Sequence, residues 1–167
     1  ANVDVQPGTS VYTTWLNDRG GIEADLTVNR LDEERFLVVT AYTTQLKDSD
    51  WIIRNVPDGS RVAVTDVTSA WATLGIFGPK ARDFVSPITD ADLSNEAFPF
   101  GTLQEIDFGY ARAIAVRRTY MGELGWEIYL PTEFAVGAFD QLWESGQPNG
   151  LELAGMHAMN SLRMEKA

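Results

Sequence analysis

Three residues of this 167-residue chain combine a chemically useful side chain with a position that a regular element would define. Asp25 lies in the run Ile22-Glu23-Ala24-Asp25-Leu26-Thr27-Val28-Asn29. On a strand, alternation puts Ile22, Ala24, Leu26 and Val28 on one face and Glu23, Asp25, Thr27 and Asn29 on the other. A carboxylate presented there, just after the pair Gly20-Gly21, suits proton handling or the orientation of a closely approaching ligand. The same pattern also describes the wetted side of an antiparallel sheet. By the same parity Glu127 falls beside Tyr129, opposite Trp126, Ile128 and Leu130. A carboxylate flanked by aromatics suits a flat heterocycle with adjacent N–H donors, because its two oxygens accept a pair of hydrogen bonds. An ordinary exposed strand glutamate reads the same way. Arg163, on a helix starting near Leu153, has Met156, Met159 and Asn160 as its i−7, i−4 and i−3 neighbours. It is expected to emerge beside a methionine stripe that faces the core, where an arginine needs an anion. That anion is either an internal carboxylate or helix end, or a ligand.

Composition narrows the chemistry. There are no cysteines, so disulfides, thiol nucleophiles and cysteine-ligated zinc are excluded. His157 is the one histidine and lies roughly 100° from Met156 on the helical wheel, which makes it a surface residue. A histidine metal cluster or catalytic triad is therefore not expected. The 24 acidic residues outnumber 13 basic ones, for a formal charge of −11. That disfavours nucleic acid and anionic membrane surfaces as partners. No apolar run approaches the ~20 residues of a membrane span, and no signal-peptide pattern opens the chain. The compartment expected from these features is cytoplasmic, or the mitochondrial matrix in a eukaryote. No phosphate loop or dinucleotide fingerprint is present, so any flavin belongs to a domain outside this chain.

The elements that must position these residues are legible in part. Val11 to Asn17 and Gly21 to Leu31 read as two strands joined by the turn Asn17-Asp18-Arg19-Gly20. Arg35 to Thr40 is a third strand, and a helix capped by Thr43 or Thr44 runs to about Asn55. Arg61 to Thr68 and Ala70 to Phe77 follow as strands. Pro79 opens a short helix to about Val85, and a loop runs from Pro87 to roughly Gly101. Tyr110 to Tyr120 and Trp126 to Leu130 form a hairpin. Thr132 caps a helix with Ala135, Phe139, Leu142 and Trp143 at helical spacing, ended by Gly146. Two subdomains are expected, 1–66 and 67–167. The start at Ala1 and the stop inside a helix both read as cut ends, so a fragment is expected.

Five segments then resemble, in order, the glycine-cleavage T-protein family. Tyr12-Thr13-Thr14-Trp15-Leu16-Asn17-Asp18-Arg19-Gly20-Gly21-Ile22-Glu23-Ala24-Asp25 is similar to its glycine-pair hairpin, and Arg35-Phe36-Leu37-Val38-Val39-Thr40 to the strand that follows. Leu74-Gly75-Ile76-Phe77-Gly78-Pro79 resembles its strand-to-helix motif, Tyr120-Met121-Gly122-Glu123-Leu124-Gly125-Trp126-Glu127 its Tyr-Thr-Gly-Glu element, and Ser161-Leu162-Arg163-Met164-Glu165 its Ser-Leu-Arg helix. Ala24 before Asp25, Met121, and the closing Arg163-Met164-Glu165-Lys166 look more like the dimethylglycine and sarcosine dehydrogenase branch than the free-standing aminomethyltransferases.

The resemblance implies an α+β fold, with a ferredoxin-like subdomain followed by part of a second mixed α/β subdomain. It implies an enzyme module that binds tetrahydrofolate, with FAD carried elsewhere in the parent polypeptide if the dehydrogenase branch holds. In that branch a formaldehyde-level carbon, made by flavin oxidation of a methylated glycine, is captured as methylenetetrahydrofolate. The implied site residues are Asp25 at the reactive nitrogens, Glu127 at the amino-pyrimidine edge, Tyr12 and Tyr120 lining the pocket, and Arg163 near the folate. A free-standing aminomethyltransferase and a folate-binding protein without turnover are the alternatives.

Overall fold

A computed structural model describes residues 1–166. The chain forms two compact units, one ending at Thr68 and the other beginning at Ser69.

The first unit is built on three antiparallel strands in the order β1-β2-β3, with β1 at Thr9–Leu16, β2 at Ile22–Arg30 and β3 at Phe36–Val39. Asn17 organises the β1–β2 turn. Its side-chain oxygen accepts the Arg19 and Gly21 amides at 3.0 and 2.9 Å, and its side-chain nitrogen donates to Glu23 at 2.8 Å. Gly20 takes φ +77°, which a side chain would resist. Ala24, Leu26 and Val28 are buried against Val3, Trp15 and Val38, as the alternation of β2 predicts. Helix α1, Gln45–Asn55, follows a 3-10 turn at Tyr42–Thr44. Thr44 stands at its N-cap, but its hydroxyl bonds the buried Asp48 carboxylate at 2.6 Å instead of a first-turn amide.

The strand expected over Arg61 to Thr68 does not form. Residues 61–67 carry no regular structure and are exposed. Val62 and Val64 have strand-forming side chains but pair with no strand, and strand preference is realised only where pairing and packing support it.

The second unit is a four-stranded antiparallel sheet in the order β4-β7-β6-β5. Its strands are β4 (Trp71–Phe77), β5 (Leu103–Phe108), β6 (Ala111–Val116) and β7 (Gly125–Pro131), with helices α2 (Ala81–Val85), α3 (Ala135–Gly146) and α4 (Met156–Lys166). One sheet face presents Ile76, Ile106, Ala113, Ala115, Trp126, Ile128 and Leu130 to Phe84 and Val85 of α2 and to Ala138 and Leu142 of α3. That layer is the larger core. The long connection before β5 is tied down by two arginines. Arg82 and Arg117 both donate to Asn95 Oδ1, at 2.8 and 2.7 Å, and both guanidinium groups lie over the Trp126 ring.

Three details depart from the sequence reading. Strand β5 lies where no element was assigned, because only Leu103, Ile106 and Phe108 of it are buried and their spacing is not strictly alternate. The strand expected from Tyr110 to Tyr120 is confined to Ala111–Val116, and Tyr110 belongs with Gly109 (φ +59°) to the tight β5–β6 turn. Pro79 precedes α2, whose N-cap is Lys80.

Ile128 is fully buried in the larger core. Ile128→Ala is expected to destabilise the chain by about 2–5 kcal/mol, whereas Val62→Ala in the unpaired segment should cost less than about 0.5 kcal/mol. Urea denaturation of both variants checks the contrast.

Candidate functional site

Each of the two carboxylates singled out by sequence is held by a tyrosine. In the first unit Thr14 stands opposite Asp25 and Tyr12 opposite Thr27, so Tyr12 and Asp25 are diagonal neighbours on one sheet face. The Tyr12 hydroxyl donates to Asp25 Oδ2 at 2.6 Å. Both residues are exposed, Tyr12 to 58%. On the same face Lys47 of α1 donates to the Glu23 carbonyl and lies 3.8 Å from the Glu23 carboxylate. Further along, Asn29 is fully buried.

In the second unit Glu127 sits on the interior strand β7, between Gly75 of β4 and Val116 of β6. Neither neighbour carries a side-chain donor. Tyr129, two residues on along the same face, donates its hydroxyl to Glu127 Oε2 at 2.6 Å. Tyr129 is 4% exposed and Glu127 is half-buried. Burial first, and the Glu127 charge second, push the Tyr129 hydroxyl well above the usual tyrosine range, while the Arg118 charge works against them. Each tyrosine hydroxyl thus engages one oxygen of its carboxylate, Oε2 of Glu127 and Oδ2 of Asp25.

Phe77 supplies a flat apolar surface next to Glu127. A Cβ on Gly75 or on Gly125 would meet its ring at 2.6 or 2.3 Å, so the ring lies across both glycines. A cavity of about 360 Å³ opens beside it, lined by Phe77, Pro79, Met121 and Leu162 and edged by the Glu123–Lys166 ion pair at 3.0 Å. Sequence reading missed Phe77 as a site residue. The signal was available: β4 and β7 each carry a glycine on the Glu127 face, and a strand gives up side chains where something must lie flat on it.

Tyr120 and Arg163 come together in a different way from that expected. Helix α4 has no buried residue, Met156 is 65% exposed, and Arg163 is exposed as well. The core-facing methionine stripe is therefore corrected: α4 meets the rest of its unit through the 119–124 loop instead. The Arg163 guanidinium lies 4.8 Å above the Tyr120 ring, and the Tyr120 hydroxyl donates to Asn160 at 2.8 Å. The π face, not a buried anion, stabilises this cation. His157 is exposed, as expected, although the buried stripe on which that expectation rests does not form. Among the described residues no cluster of metal-ligating side chains is present, and no helix is long and apolar enough to cross a membrane.

In the second unit a half-buried carboxylate beside an aromatic ring suits a planar ligand with N–H donors. The family model for the GCVT N-terminal domain matches residues 1–167. The chain belongs to the GCVT N-terminal domain family. It is 47% identical, over 99% of its length, to 4-methylaminobutanoate oxidase (formaldehyde-forming) of Paenarthrobacter nicotinovorans, and covers 20% of that protein. It is 34% identical, over its full length, to mitochondrial dimethylglycine dehydrogenase of Homo sapiens, and covers 19% of it. The crystal structure of the glycine cleavage system aminomethyltransferase T from Bartonella henselae superposes with a TM-score of 0.78 at 28% identity, over 97% of this chain and 42% of that one. This GCVT-type domain thus has the α+β fold of the T-proteins, the relatives named here are enzymes, and it spans about a fifth of the length of the two curated ones.

The Tyr129–Glu127 pair has a consequence for stability. Unfolded, Tyr129 loses its proton near the ordinary tyrosine value of 10.0; folded, it keeps it to higher pH. The folded state then binds more protons above that value, so stability is constant below it and falls as pH rises through it. Urea denaturation between about pH 9 and pH 11 should show this decline, and Tyr129→Phe should make it shallower.

Proposed function

We propose that the chain is a tetrahydrofolate-binding module of a one-carbon enzyme, in which Glu127 holds the amino-pyrimidine edge of the pterin and Asp25 serves its reactive nitrogens. The observation that carries this reading is the half-buried Glu127 carboxylate, held by a tyrosine at one oxygen and flanked by an aromatic ring. Adjacent N–H donors on a flat ring match such an acceptor. Family membership over the whole chain supports the same ligand class.

Tetrahydrofolate, when bound, supplies the nitrogens that take up a formaldehyde-level carbon. The chain's own residues supply the setting. Asp25 is exposed, and Tyr12 fixes one of its oxygens. The other oxygen accepts a proton from a reacting nitrogen and returns it, a task suited to a positioned carboxylate. Phe77 and Met121 provide apolar surface that limits water at the pterin. In this proposal Tyr12 and Tyr120 line the pocket, and Arg163, held above Tyr120, provides a positive charge at its edge for the anionic tail of the folate.

The carbon comes from oxidation of a methylated glycine or related methylamine by a flavin carried elsewhere in the parent polypeptide. The names of the oxidase and dehydrogenase relatives support this source. The Bartonella likeness supports a second reading, transfer from an aminomethyl donor without flavin.

One variant separates these roles in the full-length protein. Asp25→Asn keeps shape but removes the basic oxygen. Formation of methylenetetrahydrofolate is expected to fall by ~10²-fold or more while flavin reduction by the methylamine is unchanged. Equal loss in both half-reactions makes Asp25 structural. No loss in either returns it to a solvated strand face. Absence of any flavin half-reaction favours the aminomethyl donor.

A further inference from the structure

We infer that Tyr129 is the positioning residue for Glu127, setting the plane of its carboxylate so that Oε1 faces the ligand's N–H edge. The inference rests on the folate reading of Glu127 and goes beyond it, because it assigns a task to a residue that would not touch the ligand.

Glu127 is flanked across the sheet by Gly75, which has no side chain, and by Val116, which has no donor. A glutamate in that setting would swing through several rotamers and pay their entropy each time a ligand bound. Tyr129 removes that freedom beforehand. It lies on the same strand face, its ring is buried opposite Ile114, and its hydroxyl meets Oε2 at 2.6 Å. A buried phenol must find an acceptor, and Glu127 is the one it has. The phenol also holds its proton more tightly than an ordinary tyrosine, so the direction of the bond is fixed: Tyr129 donates and Glu127 accepts. The carboxylate stays an acceptor toward the ligand, which selects N–H donors and rejects a carbonyl edge.

The test is a double-mutant cycle in the full chain, with 5-formyltetrahydrofolate as the titrated probe and calorimetry as the readout. Tyr129→Phe keeps the ring and its packing. It is expected to weaken binding about tenfold, the scale of a hydrogen bond to a charged group. Glu127→Gln should weaken it at least as much. In the Glu127→Gln background the tyrosine change should then cost less than about twofold, because there is no charged carboxylate left to orient. A merely structural tyrosine would give the same loss in both backgrounds, and that result overturns the inference. So does wild-type affinity in Tyr129→Phe alongside lost affinity in Glu127→Gln, which leaves the folate reading standing. Wild-type affinity in Glu127→Gln would instead remove the folate reading of Glu127, and the positioning role with it.

Discussion

A phenol buried in the middle of a sheet has to spend its hydroxyl on something, because an unpartnered donor out of water costs on the order of 1–3 kcal/mol. In this chain the hydroxyl of Tyr129 is spent on Glu127, two residues back on the same strand face. That one bond settles several other features. It keeps a charged carboxylate on an interior strand, where its cross-strand neighbours offer a glycine and a valine. The missing side chain at Gly75 and the equally bare Gly125 let the Phe77 ring lie flat beside the carboxylate. The opposite sheet face is free to form the larger core against α2 and α3, and the two faces divide chemistry from packing.

The first unit repeats the construction in a wetter setting. Tyr12 reaches Asp25 diagonally across β1 and β2, again at 2.6 Å. Here both partners are exposed, so the bond contributes less to stability and serves mainly to hold the carboxylate oriented. The register that makes it follows from the Asn17 turn, whose side-chain bonds fix where β2 starts. A slip of one residue would carry Asp25 to the core face and Ala24 to the solvent face.

Alternation exposed most of this before any coordinates. It separated Asp25 from Leu26 and Glu127 from Ile128 correctly, because each strand has one apolar face and the sequence repeats that choice residue by residue. It could not say how far solvent reaches along a polar face: Asp25 is exposed, yet Asn29 on the same side is fully buried. Arg61 to Thr68 misled because valines favour a strand only where a partner edge exists. Arg163 misled for a related reason. Helical spacing gives the neighbours Met159 and Asn160 but not which side of the helix is covered, and α4 rests on Tyr120 instead of on a core. Phe77 escaped notice because its part depends on two glycines that are distant in sequence and adjacent only across β4 and β7.

The central claim is the proposal that Glu127, held by Tyr129, takes the amino-pyrimidine edge of a pterin. A crystal structure of the full-length protein with 5-formyltetrahydrofolate bound tests it most directly. The account predicts the amino-pyrimidine edge within hydrogen-bonding distance of Glu127 and the pterin ring beside Phe77. A pterin bound elsewhere, or bound with Glu127 facing away from it, would contradict the account.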